Sequence, residues 1–168
     1  MLMKSGYGNV LELGGKLYKT IKVNNHLWMA ENLTLLVKDS WFYDDNAING
    51  EKYGRLYTWD AAIKACPTGW SLPSNDHWDE LINYFGGEEL IYHKLIVGGE
   101  SGFNVQFAGY RSQHGVYLSR DRAADFWTST EAGSANAWLC YMIAKRERIF
   151  KIIDDKRCGF SVRYVKPL

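Results

Sequence analysis

The spacing of apolar residues changes once along the chain, and this change constrains the fold more than any other feature of the sequence. Between residues 57 and 85, large apolar side chains recur at i, i+3, i+4 and i+7, the spacing of one helix face. From Phe103 onward the period approaches two, in short runs separated by turn residues. This order predicts an α+β domain in which two main helices pack on a twisted antiparallel sheet.

Two helices are predicted in this first region, each with an apolar face and a clear end. The first covers about Tyr57 to Ala65 and ends at Pro67. Its apolar face consists of Trp59, Ala62, Ile63 and Cys66. The second begins after Ser74, a good N-cap, and ends at Gly86. Its apolar face consists of Trp78, Leu81, Ile82 and Phe85.

Shorter elements are predicted on both sides of these helices. Lys16–Val23 alternates apolar and polar residues and should form a hairpin with residues 26–29, through a turn at Asn24. A short strand is expected at Trp41–Tyr43 within a long surface loop. A short third helix is predicted from about Glu88 to Val97, because two glycines follow it.

The remaining apolar runs predict the sheet. In chain order they read NVQFAGYR, VYL, DFWTST, AWLCYMIA, RIFKII and FSVRYV. AWLCYMIA is apolar on both faces, as expected for a central strand, and Lys145–Arg148 should form the hairpin turn after it. The residues whose periodicity predicts burial are Trp59, Ile63, Trp78, Leu81, Phe85, Phe126 and Val162.

Charge and length exclude several classes of function. Lys and Arg total 20 against 19 for Asp and Glu, so no general attraction to nucleic acid or to anionic lipid is expected. No apolar window of about 18 residues suggests a membrane span, and the opening residues MLMKSGYGNV lack the apolar run of a secretory signal. We therefore expect a single domain over residues 1–168, with neither nucleic acid nor membrane as partner.

The cysteines and histidines offer little for a metal or cofactor. Three Cys leave at least one thiol free or paired with another chain, and no C-x-x-C motif occurs. The four histidines, His26, His77, His93 and His114, are scattered along the chain. A zinc site therefore has little support, and no cofactor is expected.

Five sequence blocks together resemble a known bacterial domain family. They are GGKLYKTIKVNNHLWMAENL, YGRLYTWDAAIKACPTGWSLPSNDHWDEL, GFNVQFAGYR, DFWTSTE and GFSVRYVK. Their order and spacing resemble the Fibrobacter succinogenes major paralogous domain, common in Bacteroidetes, over about residues 15–166. GWSLPSNDHW is also similar to a block of sulfatase-modifying-factor domains. The resemblance implies a C-type lectin-like fold with long loops, and an extracellular or cell-surface location.

The lectin-like resemblance also implies a disulfide arrangement. Such folds tie the first helix to the final strand with one disulfide, and the central strand to the loop before the final strand with another. Cys140 and Cys158 fit the second disulfide, so their Cα atoms should lie within about 7 Å, and the bond is expected to be closed outside the cell but not in a reducing cytosol. Cys66 fits one half of the first, but Tyr164 occupies the position that often holds its partner, so Cys66 should be a buried free thiol.

An enzymatic function is one of three hypotheses, and it has the least support. The sulfatase-modifying relatives that generate formylglycine use two cysteines a few residues apart near the C-terminus, whereas Cys158 stands alone here. No G-x-S-x-G, Walker or G-x-G-x-x-G motif is present in the sequence. We therefore expect no catalysis.

Calcium-dependent sugar binding is the second hypothesis. C-type lectins use E-P-N or Q-P-D together with W-N-D, and this sequence has none of these tripeptides. The weak candidates for calcium ligands are Glu131, Asn136, Asp154 and Asp155, whose oxygens are of the kind that calcium requires. Because a calcium site needs at least six converging oxygens, solvated turns explain these residues better.

A non-catalytic recognition module, binding a glycan or a protein, is the third hypothesis and the one we favour. Loops and one sheet face of a rigid scaffold commonly carry recognition. The candidate ligand-binding residues are aromatic and basic side chains that can stack on sugar rings or pair with acidic groups. They are Tyr110, Arg111, His114, Tyr117, Arg120 and Arg122, extended by Tyr141 and Arg148.

Overall fold

A computed structural model describes residues 10–168 of the 168-residue chain. The prediction that the opening segment lacks a secretory signal concerns mainly residues 1–9, which lie outside the described range. The structure is mostly β, with 36% of residues in strands and 19% in helices, so antiparallel sheets rather than helices carry the architecture. No helix within residues 10–168 is long and apolar enough to cross a membrane.

One sheet is built from both ends of the described chain. Its four antiparallel strands are β1 (Val10–Leu13), β2 (Lys16–Val23), β3 (His26–Met29) and β11 (Val165–Pro167), in the order β1-β2-β3-β11. The predicted hairpin of β2 and β3 is confirmed. Asn24 takes a φ of +50° in its turn, a conformation that Asn tolerates better than most residues.

The second sheet has three strands. It consists of β8 (Ala123–Glu131), β9 (Asn136–Ile143) and β10 (Ile149–Asp155), all antiparallel. β9 lies in the middle, as its two-sided apolar sequence predicts, and the charged turn after it is confirmed as the hairpin connection to β10.

Two small ribbons complete the strands. β4 (Ser40–Trp41) pairs with β5 (Leu56–Tyr57), and β6 (Tyr110–Arg111) pairs with β7 (Tyr117–Leu118). The strand predicted at residues 41–43 is wrong beyond Trp41, because a 3-10 turn begins at Tyr43.

Two of the predicted sheet runs are largely irregular. NVQFAGYR contributes two isolated bridges before β6, and FSVRYV touches Tyr57 and Phe126 through single bridges before β11. Both runs alternate apolar and polar residues in sequence, but residues 160–165 are all buried, and the backbone changes neighbour every few residues. Alternation in sequence alone therefore does not create a continuous strand.

Within residues 10–168, four α-helices lie between β3 and β8 along the chain: α1 (Ile48–Tyr53), α2 (Trp59–Lys64), α3 (Asn75–Tyr84) and α4 (Ile91–Leu95). The two main predicted helices are confirmed as α2 and α3. Thr58 caps α2, and Ser74 caps α3 in a reciprocal arrangement with His77. α4 is shorter than predicted, and α1 lies in a segment predicted as loop.

Within residues 10–168 the core has two large clusters, one on each face of β9, and a third, small cluster around Tyr43 and Tyr53. The α3 cluster contains Trp78 and Leu81 of α3 together with Cys140 of β9. The α2 cluster contains Trp59 of α2 together with Leu139 of β9. Neighbouring residues of a strand point to opposite faces, so β9 serves both clusters.

Most of the predicted core residues are buried: Trp59, Trp78, Leu81, Phe126 and Val162. Ile63 is an exception, with 38% of its surface exposed, because α2 turns Ala61 and Ala62 inward instead. Phe85 is only partly buried, since it lies at the C-cap of α3 where the helix leaves the core.

The structure corrects the cysteine assignment. All three cysteines are free, and the Cys140–Cys158 disulfide is not formed. Cys140 points into the α3 cluster, whereas Cys158 belongs to the α2 cluster on the other face of β9. Cys66 is free, as expected, but only partly buried.

Arg163 ties distant loops together from inside the molecule. The guanidinium is buried, and its Nε donates to Asn32 Oδ1 over 2.8 Å. It also donates to the carbonyl oxygens of Phe103 and Asn104. Asn32 Nδ2 in turn donates to the carbonyl of Tyr53, which fixes the end of α1.

Candidate functional site

A pocket of about 350 Å³ opens on the face of the β8-β9-β10 sheet that points away from α3. This volume is within the usual range of small-ligand pockets. Its walls are mainly apolar and aromatic, formed by Tyr110, Leu139, Tyr141, Ile143, Ile152 and Phe160. Three charged residues also line it: Arg122, Asp125 and Asp154.

Strand register explains why the pocket forms at this place. Asp125 lies directly opposite Tyr141, and Tyr141 lies opposite Phe150, so the three side chains share a row across the sheet. Trp127 lies two residues beyond Asp125 on β8, on the same face of the sheet. The ring of Phe160 covers Trp127, with 4.5 Å between the two ring centroids. The pocket lies beside this covered region, at Asp125.

Asp125 is the unusual residue of the pocket. Its side chain is almost completely buried, with 6% of the residue exposed, and its Oδ2 has no hydrogen-bond partner. A buried carboxylate oxygen without a partner is costly, and such groups are rare in folded proteins. Burial and the nearby charge of Asp154 raise the pKa of Asp125 to about 7. Its carboxyl group therefore titrates near neutrality.

The surroundings of Asp125 are electronegative. Burial first, and then the charges of Asp125 and Asp154, raise the pKa of the Tyr110 hydroxyl. Burial followed by Asp154 raises the pKa of the Cys158 thiol to about 12. The basic residue that lines the pocket, Arg122, is exposed at its rim. The pocket thus holds an uncompensated negative charge next to aromatic rings.

The structure divides the predicted ligand-binding residues instead of collecting them in one site. Tyr110, Arg122 and Tyr141 line this pocket. His114 and Arg148 are exposed in turns, before β7 and before β10 respectively.

Arg111, Tyr117 and Arg120 belong to a different set, the aromatic–arginine cluster, which also contains Trp41 and Tyr43. The Arg111 guanidinium lies 4.0 Å from the ring of Trp41. Successive residues of β6 point to opposite faces, so Tyr110 and Arg111 are separated although they are adjacent in sequence.

The polar groups of the aromatic–arginine cluster largely bind other parts of the chain. Tyr117 donates from its hydroxyl to Asp45 over 2.6 Å, and Arg120 lies 3.6 Å from Asp44 and 3.2 Å from Asn49. Burial, together with the hydrogen bond to Asp45, raises the pKa of Tyr117 to about 12. These contacts tie the loop around residues 43–49 to the ribbon of β6 and β7, which is a structural role.

The four calcium candidates lie near one another, but two of them already have cationic partners. Glu131 accepts from Lys156 Nζ at 2.5 Å, and Asp155 pairs with both Nε and Nη2 of Arg157. Hydrogen bonds from Arg157 lower the pKa of Asp155 to about 2. Asn136 lies opposite Asp155 in the ladder, while Asp154 faces the pocket. Among residues 10–168, no group of three or more acidic, His or Cys residues is arranged to hold a metal ion.

Sequence reasoning missed the residue that defines the pocket. DFWTST predicts a buried strand, and Asp125 occupies an inward position of it. A charged residue at a buried strand position was the available signal, because such residues rarely lack a partner unless they serve a function. What the sequence could not show is that Asp154 lines the same pocket.

A larger cleft of about 550 Å³ lies beside α2, with Trp41, Lys64 and Lys156 among its lining residues. Lys156 is already paired with Glu131 and lies 4.2 Å from the ring of Trp59. This cleft lacks a buried polar atom in need of a partner. The pocket around Asp125 is therefore the better candidate site.

Comparison with known proteins gives one match. A family model described as the Fibrobacter succinogenes major domain matches residues 21–166. No curated protein and no solved structure is significantly similar to the chain.

Proposed function

Because the chain belongs to the Fibrobacter succinogenes major domain family, as residues 21–166 show, we propose that it is a non-catalytic ligand-recognition module of a bacterial surface or secreted protein. The proposed ligand is a glycan, and the proposed site is the pocket around Asp125. The same family resemblance is the basis for the proposed location.

One observation carries the proposal: a buried carboxyl group with an unpartnered oxygen lines an aromatic pocket that opens to solvent. A hydroxyl or amino group of a ligand could donate a hydrogen bond to Asp125 Oδ2, which receives none from residues 10–168. The rings of Tyr110 and Tyr141 offer flat apolar surfaces beside it. A sugar ring has both kinds of surface, polar groups at its edge and apolar C–H groups on its faces.

The size of the pocket favours a glycan over a folded protein as the ligand. A pocket of about 350 Å³ fits a small ligand group, whereas stable protein interfaces usually bury about 800 Å² on each partner over a broad surface. A protein ligand would reach Asp125 only by inserting a side chain.

We also propose that the fold is a C-type lectin-like one. The order of an early hairpin, two capped helices and a late antiparallel sheet supports it, as does the pairing of β11 with β3 near the start of the chain. The proposed binding is not calcium-dependent, because the cationic partners of Glu131 and Asp155 already satisfy these carboxylates.

A glycan panel, followed by titration calorimetry on the glycans that bind, tests this function. Tyr141→Ala should weaken binding by about tenfold or more, since it removes a wall of the pocket. Tyr84→Ala is the matched control, because Tyr84 is an exposed tyrosine on α3, on the other side of the sheet.

Three results would contradict the proposal. They are a panel without a single bound glycan, a folded Tyr141→Ala protein with unchanged affinity, and release of shorter sugars from a bound glycan, which would reveal catalysis. Chromatography of the glycan after prolonged incubation with the protein detects the last.

A further inference from the structure

The pocket carries an inference about the chemistry of its ligand, which rests on the proposed function. Asp125 and Asp154 both line it, and the side chain of Asp125 is more than nine-tenths buried with a free oxygen. Asp154 is partly satisfied, since its Oδ1 accepts from the backbone N–H of Asp155 over 2.7 Å. Asp125 is therefore the group that most needs a donor from outside the protein.

A cationic group of the ligand would stabilise the Asp125 carboxylate better than a neutral hydrogen-bond donor. Two carboxyl groups in one recess repel each other when both are ionised, and a positive charge between them relieves both the repulsion and the cost of burial. The aromatic side chains of Tyr110, Tyr141 and Phe160 border the same space, and aromatic faces attract ammonium groups. Carboxylates beside aromatic rings are thus suited to an amine.

The charges of the groups that face Asp125 from the surrounding elements also favour a cationic ligand. Tyr110 of β6, Tyr141 of β9 and Asp154 of β10 carry no positive charge at neutral pH, and neither does the Cys158 thiol next to Asp154. Arg122 is exposed at the rim of the pocket.

We propose that the pocket binds a sugar with a free amino group, whose ammonium group pairs with Asp125 beside the ring of Tyr141, while Asp154 adds negative charge to the same pocket. A pocket of about 350 Å³ favours an amino sugar over the lysine side chain of a folded protein, because a stable protein interface needs a broad surface. The sugar ring would then lie against Tyr110 and Ile152.

Three β-1,4-linked glucan oligomers of equal length test the inference, because they differ only at C2. Deacetylated chitin oligomers carry an amino group there, chitin oligomers an acetamido group, and cello-oligomers a hydroxyl group. The amino form should bind at least about tenfold more tightly than the other two. Equal affinity for all three would overturn the amine inference while leaving glycan recognition intact.

Binding by none of the three oligomers would also overturn it, and the proposed function would then depend on the wider panel. Tighter binding of a lysine-rich peptide than of the amino oligomer would overturn the assignment to a sugar.

Two variants assign the effect to the pocket. Asp125→Asn keeps the shape of the side chain but removes its charge, so it should abolish most of the preference for the amino oligomer, measured as the ratio of its affinity to that of the hydroxyl oligomer. Asp154→Asn should reduce the same preference. Asp79→Asn is the matched control, because Asp79 pairs with Lys151 beside α3, on the other face of the sheet. A retained preference in a folded Asp125→Asn protein would refute the site.

Proton release offers a second readout that does not depend on affinity. At pH 6, amino groups are protonated and much of Asp125 should be too, so an arriving ammonium group must displace the carboxyl proton. Calorimetry in two buffers of different ionisation enthalpy should show up to one proton released per ligand, and none with Asp125→Asn. Binding without proton release in the parent protein would contradict the proposal.

Discussion

At the scale of single residues, the protein treats two buried charged groups in opposite ways. Arg163 is completely enclosed but donates to three oxygens of the protein, so it serves the fold. Asp125 is almost as deeply buried, and one of its oxygens has no partner. A buried charge of the first kind holds the structure together, whereas the second kind costs stability and points to a ligand.

Because Asp125 is buried, the free energy of unfolding should depend on pH. Its pKa is raised from 3.8 to about 7 on folding, so between these values the folded state binds more protons than the unfolded state. The free energy of unfolding therefore falls as the pH rises through this window, and the loss is complete above about pH 7. Asp125→Asn removes the titration.

We expect the stability of Asp125→Asn relative to the parent protein to rise by an amount on the order of 3 kcal/mol between pH 4 and pH 8. Urea unfolding at several pH values measures this difference. A constant difference across the range would show that folding does not change the pKa of Asp125.

At the scale of elements, the sequence predicts best where several local signals agree. α3 has a 3.6-residue apolar period, an N-cap at Ser74 and two glycines after its end, and its predicted bounds are confirmed. FSVRYV has only alternation, and most of it is not a strand. Its backbone bridges to Tyr57 and β8 in succession, and such long-range pairings leave no mark on the local sequence.

The cap of α3 makes a measurable contribution to stability. Ser74 Oγ accepts from the backbone N–H of His77, and His77 Nδ1 accepts from the backbone N–H of Ser74. Ser74→Ala should cost about 1 kcal/mol, which lowers the melting temperature of a chain of this size by about 2 to 4 °C. Ser134→Ala, in the exposed turn between β8 and β9, should leave it unchanged. Equal losses in both variants would argue against the cap.

At the scale of the whole molecule, β9 organises the fold because both of its faces are buried. Its two-sided apolar sequence predicted this central place, but not which helix each face would meet. The prediction of a Cys140–Cys158 disulfide, which the lectin-like resemblance implies, is wrong because the two cysteines belong to clusters on different faces of β9. The candidate site was missed in part for the same reason, since three strands and β6 each contribute to it.

The whole molecule should fold without a metal ion. Glu131 and Asp155, two of the four candidate calcium ligands, have a lysine and an arginine partner that already neutralise their charge. The thermal unfolding curve should therefore be the same with a strong chelator and with added calcium. A melting temperature several degrees lower in chelator, restored by calcium, would instead indicate a cation near Glu131 and Asp155.

The four-stranded sheet also determines how the domain responds to mechanical force. β1 and β11 are antiparallel to each other, separated by β2 and β3, so the start of β1 and the end of β11 lie at the same end of the sheet. Tension applied between these points loads the backbone hydrogen bonds one after another rather than together. On the β11 side, the first bond to open joins the N–H of Leu168 to the carbonyl of Asn25, and the break then advances through the pairs of Pro167 with His26 and Val165 with Trp28 towards the core. The sheet should thus open strand by strand at a low force.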